Sequence, residues 1–124
     1  MRLTLCEYAT SHNDGTFTLL RGGIEHWTTN EFPVNVVLWL FVEFPRDALP
    51  TGAHKLTVDI RGPEPEETPA PTVEVVMIIQ NPNKTIRVPV PIQARLPRYG
   101  TYRVECSAGG SSAVTTLLVK PIAT

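Results

Sequence analysis

The chain has no apolar run long enough to cross a membrane. Its longest, Val36 to Val42, is seven residues, against the ~20 that a spanning helix needs. It has only two cysteines, Cys6 and Cys106, in no C-x-x-C or Cys/His spacing, which removes the sequence signature of a zinc site. It has no excess of one charge, with 11 basic and 12 acidic side chains for a net charge of −1. That balance supplies no long-range attraction toward nucleic acid or an anionic membrane. It also lacks G-x-S-x-G, so Ser111 and Ser112 after Gly109-Gly110 read as turn residues and not as a nucleophile elbow. Its histidines, His12, His26 and His54, are scattered and follow no ligand motif, so no metal or cofactor is expected.

What is present is a series of short β-type segments separated by turn signals. The stretch at 33–44, PVNVVLWLFVEF, is β-branched and aromatic and stops at Pro45, the composition of a long strand. Val34, Val36, Leu38, Leu40, Val42 and Phe44 share one wholly apolar face. The opposite face runs Asn35, Val37, Trp39, Phe41, Glu43, polar at its ends and apolar at its centre. A strand patterned this way has its core on one side and something covering the middle of the other. Either a loop of the same chain supplies that cover, with 62–72 and the residues near Trp27 as candidates, or Val37, Trp39 and Phe41 form a partner interface.

In chain order, 3–9 reads as a first strand and Asp14-Gly15 as a tight turn. A return strand follows at 16–21, then a bend at Gly22-Gly23 and a short strand at 24–28. A loop with room for one helical turn spans 46–52. Residues 54–61 alternate cleanly, with Leu56, Val58 and Ile60 on one face. The segment 62–72, GPEPEETPAPT, has four prolines and three glutamates in eleven residues and reads as a mobile, extended loop. Glu64, Glu66 and Glu67 in it are candidates for a docking peptide. Residues 73–80 are apolar on both parities, which predicts a strand in the middle of a sheet. Residues 85–96 alternate, with Pro89 and Pro91 on the outward parity, which predicts an edge strand closed by proline. Residues 100–107 and 113–120 form a last hairpin. Arg87, Arg95 and Arg103 fall on outward faces, with Glu105 among them and no aromatic interleaving, so they read as solvated charges and not a nucleic-acid surface.

Residues 1–124 therefore read as one all-β domain, an antiparallel β-sandwich of about eight strands. The N-terminal MRLTLCEYAT is interrupted by Thr4 and Glu7 and does not read as a secretory signal. A cytoplasmic location is expected, with both thiols reduced and buried; the alternative is a disulfide joining the first strand to a late one.

Two resemblances sharpen this. Gly100-Thr101-Tyr102-Arg103-Val104-Glu105 with its Gly/Ser turn resembles the last hairpin of immunoglobulin-like modules. Cys6-Glu7-Tyr8-Ala9, Asp14-Gly15-Thr16-Phe17, Gly22-Gly23-Ile24, Phe32-Pro33 and Gly100-Thr101-Tyr102 together resemble an uncharacterised family of small bacterial domains. That resemblance implies a β-sandwich of bacterial origin and no known activity. The expectation is a non-enzymatic interaction or structural module with a protein partner or a second copy of itself. The alternatives are a subunit of a larger assembly, such as a phage particle or secretion apparatus, and a ligand binder or enzyme with its site in strand-end loops.

Overall fold

The computed structural model describes residues 1–64 and 69–122. Ten strands follow one another, with no helix among the described residues: β1 (Arg2–Cys6), β2 (Tyr8–Ser11), β3 (Phe17–Leu20), β4 (His26–Thr28), β5 (Val34–Phe44), β6 (Gly52–Arg61), β7 (Val73–Ile79), β8 (Ile86–Leu96), β9 (Gly100–Ala108) and β10 (Ser111–Lys120). They form a three-stranded sheet β1-β5-β8, a five-stranded sheet β4-β10-β9-β6-β7, and a separate hairpin β2-β3. Every pairing is antiparallel except the parallel contact of β4 with β10.

Alternation explains the main core. The even residues of β5 (Val36, Leu38, Leu40, Val42, Phe44) pack with Leu5 of β1 and with Val90, Ile92 and Leu96 of β8. Across from them, Leu56 and Val58 of β6, Met77 and Ile79 of β7, Tyr102, Val104 and Cys106 of β9, and Leu117 and Val119 of β10 close the same cluster. The two larger sheets thus face each other across one core, as period-2 strands with one apolar face must. Tyr102 brings a hydroxyl into this core and satisfies it locally. The hydroxyl donates to the Arg98 carbonyl at 2.8 Å and accepts from the Arg98 amide at 3.2 Å, removing the cost of a buried unpaired polar group.

Four expectations are revised. The segment 3–9 is two strands: at Glu7 the chain leaves the three-stranded sheet, and the Glu7 amide donates to the Leu20 carbonyl at 2.9 Å. This break turns the nine segments marked in the sequence into ten strands, in place of about eight. The 46–52 connection is made of turns; Leu49 at its centre is buried, and a Cβ on Gly109, which sits at φ 56°, would come within 2.5 Å of the Leu49 side chain. β7 lies at the edge of its sheet, not in the middle. Finally, the described ends of the 62–72 segment are packed. Pro69 is buried, with its carbonyl accepting from the Arg95 amide at 2.8 Å, and Pro63 lies so close to Gly100 that a Cβ there would meet its ring at 2.7 Å. Proline rings are apolar and rigid, so a proline-rich segment fills crevices at low entropic cost where a glycine-rich one would not. Glu66 and Glu67 lie outside the described residues, and Glu64 is exposed.

Pro89 and Pro91 do sit on an edge strand. β8 pairs with β5 along its whole length, Val34 opposite Leu96 through Phe44 opposite Ile86, and among the described residues has no partner strand on its other side.

Candidate functional site

The outer face of β5 is the first place to look, and it is divided. The hairpin β2-β3 folds back over its centre, so that Cys6, Ala9 and Phe41 are buried together with Leu19 and Trp39 packed against them. Phe41 is 0% exposed. Tyr8 meets Trp39 edge-on at 5.3 Å between ring centroids, and Phe17 meets Phe41 at 4.9 Å. The Arg87 guanidinium lies 4.9 Å over the Phe17 ring and 3.4 Å from the Glu43 carboxylate, a cation–π contact steadied by an ion pair. The cover is therefore the chain's own N-terminal hairpin. Among the described residues the expected candidates lie elsewhere: Trp27 packs against the main core, and Pro69 and Pro71 line the groove beside Val37, with 65–68 outside the described residues. Phe41 has no surface left for a partner and Trp39 is half-buried, whereas Val37 is 59% exposed. The Asp14-Gly15 turn was visible in the sequence; the face its hairpin would lie on was not.

Edges of sheets are the second place, because unpaired backbone groups invite another strand. β1 is blunted where the Leu5 carbonyl accepts from the Gly23 and Ile24 amides, both at 2.9 Å. β8 carries Pro89 and Pro91, and its Arg95 amide is taken by Pro69. β4 is only three residues long, and the Tyr99 hydroxyl closes the end beyond it by donating to the Thr29 carbonyl at 3.0 Å. β7 has none of these devices among the described residues. It is seven residues, VEVVMII, without proline. Its one charge, Glu74, sits near its start and is paired with Lys55 at 3.5 Å. Met77 and Ile79 point into the core, while Val76 and Ile78 point outward at 67% and 65% exposure. No sequence signal of an open edge existed here, because two apolar faces look the same whether the second meets protein or water.

Clefts are the third. One of about 250 Å³ opens between the two larger sheets, lined among the described residues by seven apolar side chains, from Val58 and Ile60 to Pro91 and Ile92, and by the polar Gln93. The polar side chains singled out in the sequence do not converge. His12 Nε2 is 2.8 Å from the Thr18 hydroxyl and His54 Nε2 is 2.8 Å from the Pro50 carbonyl, each serving its own turn. His26 is exposed on β4. Among the described residues no three His, Cys, Asp or Glu side chains are grouped to hold a metal. Arg61 and Arg103 both reach Glu105, at 3.6 and 3.5 Å, which offsets part of the positive charge of that face. Asp14 is held below the usual carboxylate range by the Thr16 hydroxyl and amide that donate to it, a turn interaction.

The two cysteines are unbonded and buried on opposite sides of the three-stranded sheet. Cys6 is in the hairpin cluster, where its thiol donates to the Trp39 carbonyl at 3.4 Å, and Cys106 is in the main core. A disulfide between them would have to pass through the sheet. Burial raises both thiols, Cys106 to about 11, so both stay protonated and unreactive in the folded protein. No helix among the described residues is long and apolar enough to cross a membrane.

Comparison with known proteins gives one match. Residues 2–119 match the model of a family of unknown function, DUF6941, and the chain belongs to that family. No curated protein and no solved structure matches it.

Proposed function

We propose that this member of DUF6941 is a non-enzymatic interaction module that makes contact through the open edge of β7. The observation that carries the reading is the contrast among the four edges of the two larger sheets: three are closed by proline, by shortness or by backbone capping, and among the described residues β7 alone of these combines an uncapped edge with two outward aliphatic side chains. Strand addition to such an edge takes its affinity from main-chain hydrogen bonds and its selectivity from the alternate side chains. Three further elements belong to the proposal. The fold is an immunoglobulin-like sandwich, supported by the tyrosine near the start of β9 whose hydroxyl bonds back to the backbone four residues upstream. The protein works in a reducing compartment, the bacterial cytoplasm, supported by two unbonded thiols. Its partner is a protein.

The test is a photo-reactive side chain placed at Val76, with Thr116 on distant β10 as the control position, irradiated in the source cells. Adducts at position 76 and none at 116 are expected. Absence of any adduct at 76 overturns the reading.

A further inference from the structure

We infer that the strand received by β7 is β7 of a second copy of this chain, paired antiparallel about a two-fold axis at Met77. The inference rests on the reading of β7 as the contact edge and adds the identity of the partner and the register. An isologous two-fold contact requires a surface that complements itself, and 73–80, VEVVMIIQ, does so in one register. With the axis at Met77, Val76 lies opposite the partner's Ile78, and Ile78 opposite the partner's Val76. Glu74 then lies opposite the partner's Gln80. Apolar meets apolar at the centre, and a carboxylate meets a neutral amide at each end while keeping its own Lys55 at 3.5 Å.

Neighbouring registers fail on the same residues. An axis at Val76 sets Glu74 against the partner's Ile78 twice, stripping water from a charge with no partner to replace it. An axis at Ile78 sets Val76 against the partner's Gln80 and leaves Glu74 beyond the paired strands. Side chains directly opposite in an antiparallel pair lie ~4.5–5.5 Å apart at Cβ, so these differences are felt directly. The product is one continuous ten-stranded sheet, β4-β10-β9-β6-β7 joined to its copy, within the size range of open sheets. About the Met77 axis the strand residues 75–79 of each copy pair directly, and a contact that short buries less than ~1,200 Å², the class of weak, exchanging contacts.

The experiment uses the full chain with Val76→Cys and Ile78→Cys made separately. Both positions are exposed, and the native thiols are buried and do not compete. Under mild oxidation the mixture of the two variants is expected to form disulfide-linked dimer several-fold faster than either alone, because only unlike positions face each other. The wild-type mass in solution is expected to rise from 13.7 kDa toward twice that value with concentration. Ile78→Lys is expected to stay at the monomer mass with an unchanged Tm. Faster dimerisation of either variant alone overturns the Met77 axis. A constant monomer mass with no cross-linking from the mixture overturns the second copy as occupant. If position 76 still yields adducts to another protein, the edge remains a contact surface and only the self-pairing falls; if it yields none, both fall.

Discussion

β5 and β7 look alike in sequence and end differently. Each is rich in β-branched residues and apolar on both parities, VNVVLWLFVEF and VEVVMII. β5 lies between two strands with its main face in the core and the middle of its outer face under the β2-β3 hairpin. β7 lies at an edge with Val76 and Ile78 in water. The lesson is that a doubly apolar strand announces two contacts without saying whether the second is made by its own chain. Residue type adds a clue in retrospect. At the centre of β5's outer face Trp39 and Phe41 meet aromatics from the hairpin, Tyr8 on Trp39 and Phe17 on Phe41; at the centre of β7's outer face Val76 and Ile78 are aliphatic and exposed.

The comparison breaks most visibly at Phe41. Truncation to alanine empties a fully enclosed site and is expected to destabilise the chain by ~3–5 kcal/mol in urea denaturation; a loss below ~1 kcal/mol would mean the hairpin is not its cover.

Next in size is a pH effect on the buried side of the sheet that carries β7. Burial lifts Cys106 from 9.0 to about 11, so the folded protein holds that proton after the unfolded chain releases it. The stability this adds is full below pH 9 and is lost as pH rises to 11, an expected fall of about 2–3 kcal/mol. Cys106→Ala should flatten that part of the pH profile, and an unchanged slope would place the effect elsewhere.

Smaller again is the coupling between hairpin and strand. A double-mutant cycle of Phe17→Ala and Phe41→Ala is expected to show ~0.5–1.5 kcal/mol of interaction, with a value near zero removing the ring pair as a tie. Smallest is Ile78→Thr: monomer stability should stay within ~0.5 kcal/mol of wild type while self-association weakens. A large loss in the dilute monomer would show that β7's outer face already has an intrachain contact.

Much of the fold was legible because period-2 burial writes itself into strands with one wet face. Leu56, Val58 and Ile60 on β6, and Tyr102, Val104 and Cys106 on β9, follow it. Pro89 and Pro91 were also legible, since a missing N–H has only one tolerable side in a sheet. The transfer at Glu7 was not, because one charged residue between two β-type runs reads as an exposed position within a single strand, and period-2 patterning carries no information about which sheet receives a strand. The site was half legible for the same reason. Of Val37, Trp39 and Phe41, the last two lie under the hairpin and Val37 stays 59% exposed; locating the cover depends on where a hairpin lands. The open edge of β7 depends on sheet order, which no local pattern encodes.

The hairpin layer has one more consequence. Among the described residues its buried cluster has three members, Cys6, Ala9 and Phe41, with Leu19 and Trp39 packed against them, while the two large sheets share the much larger main core. Two layers of such unequal size do not open together: the thin one is expected to lift and reclose many times during one lifetime of the whole fold. Each thiol marks one layer, so slow alkylation under native conditions reads the two clocks separately, with Cys6 ahead of Cys106. Equal rates would mean that the molecule unfolds as one piece.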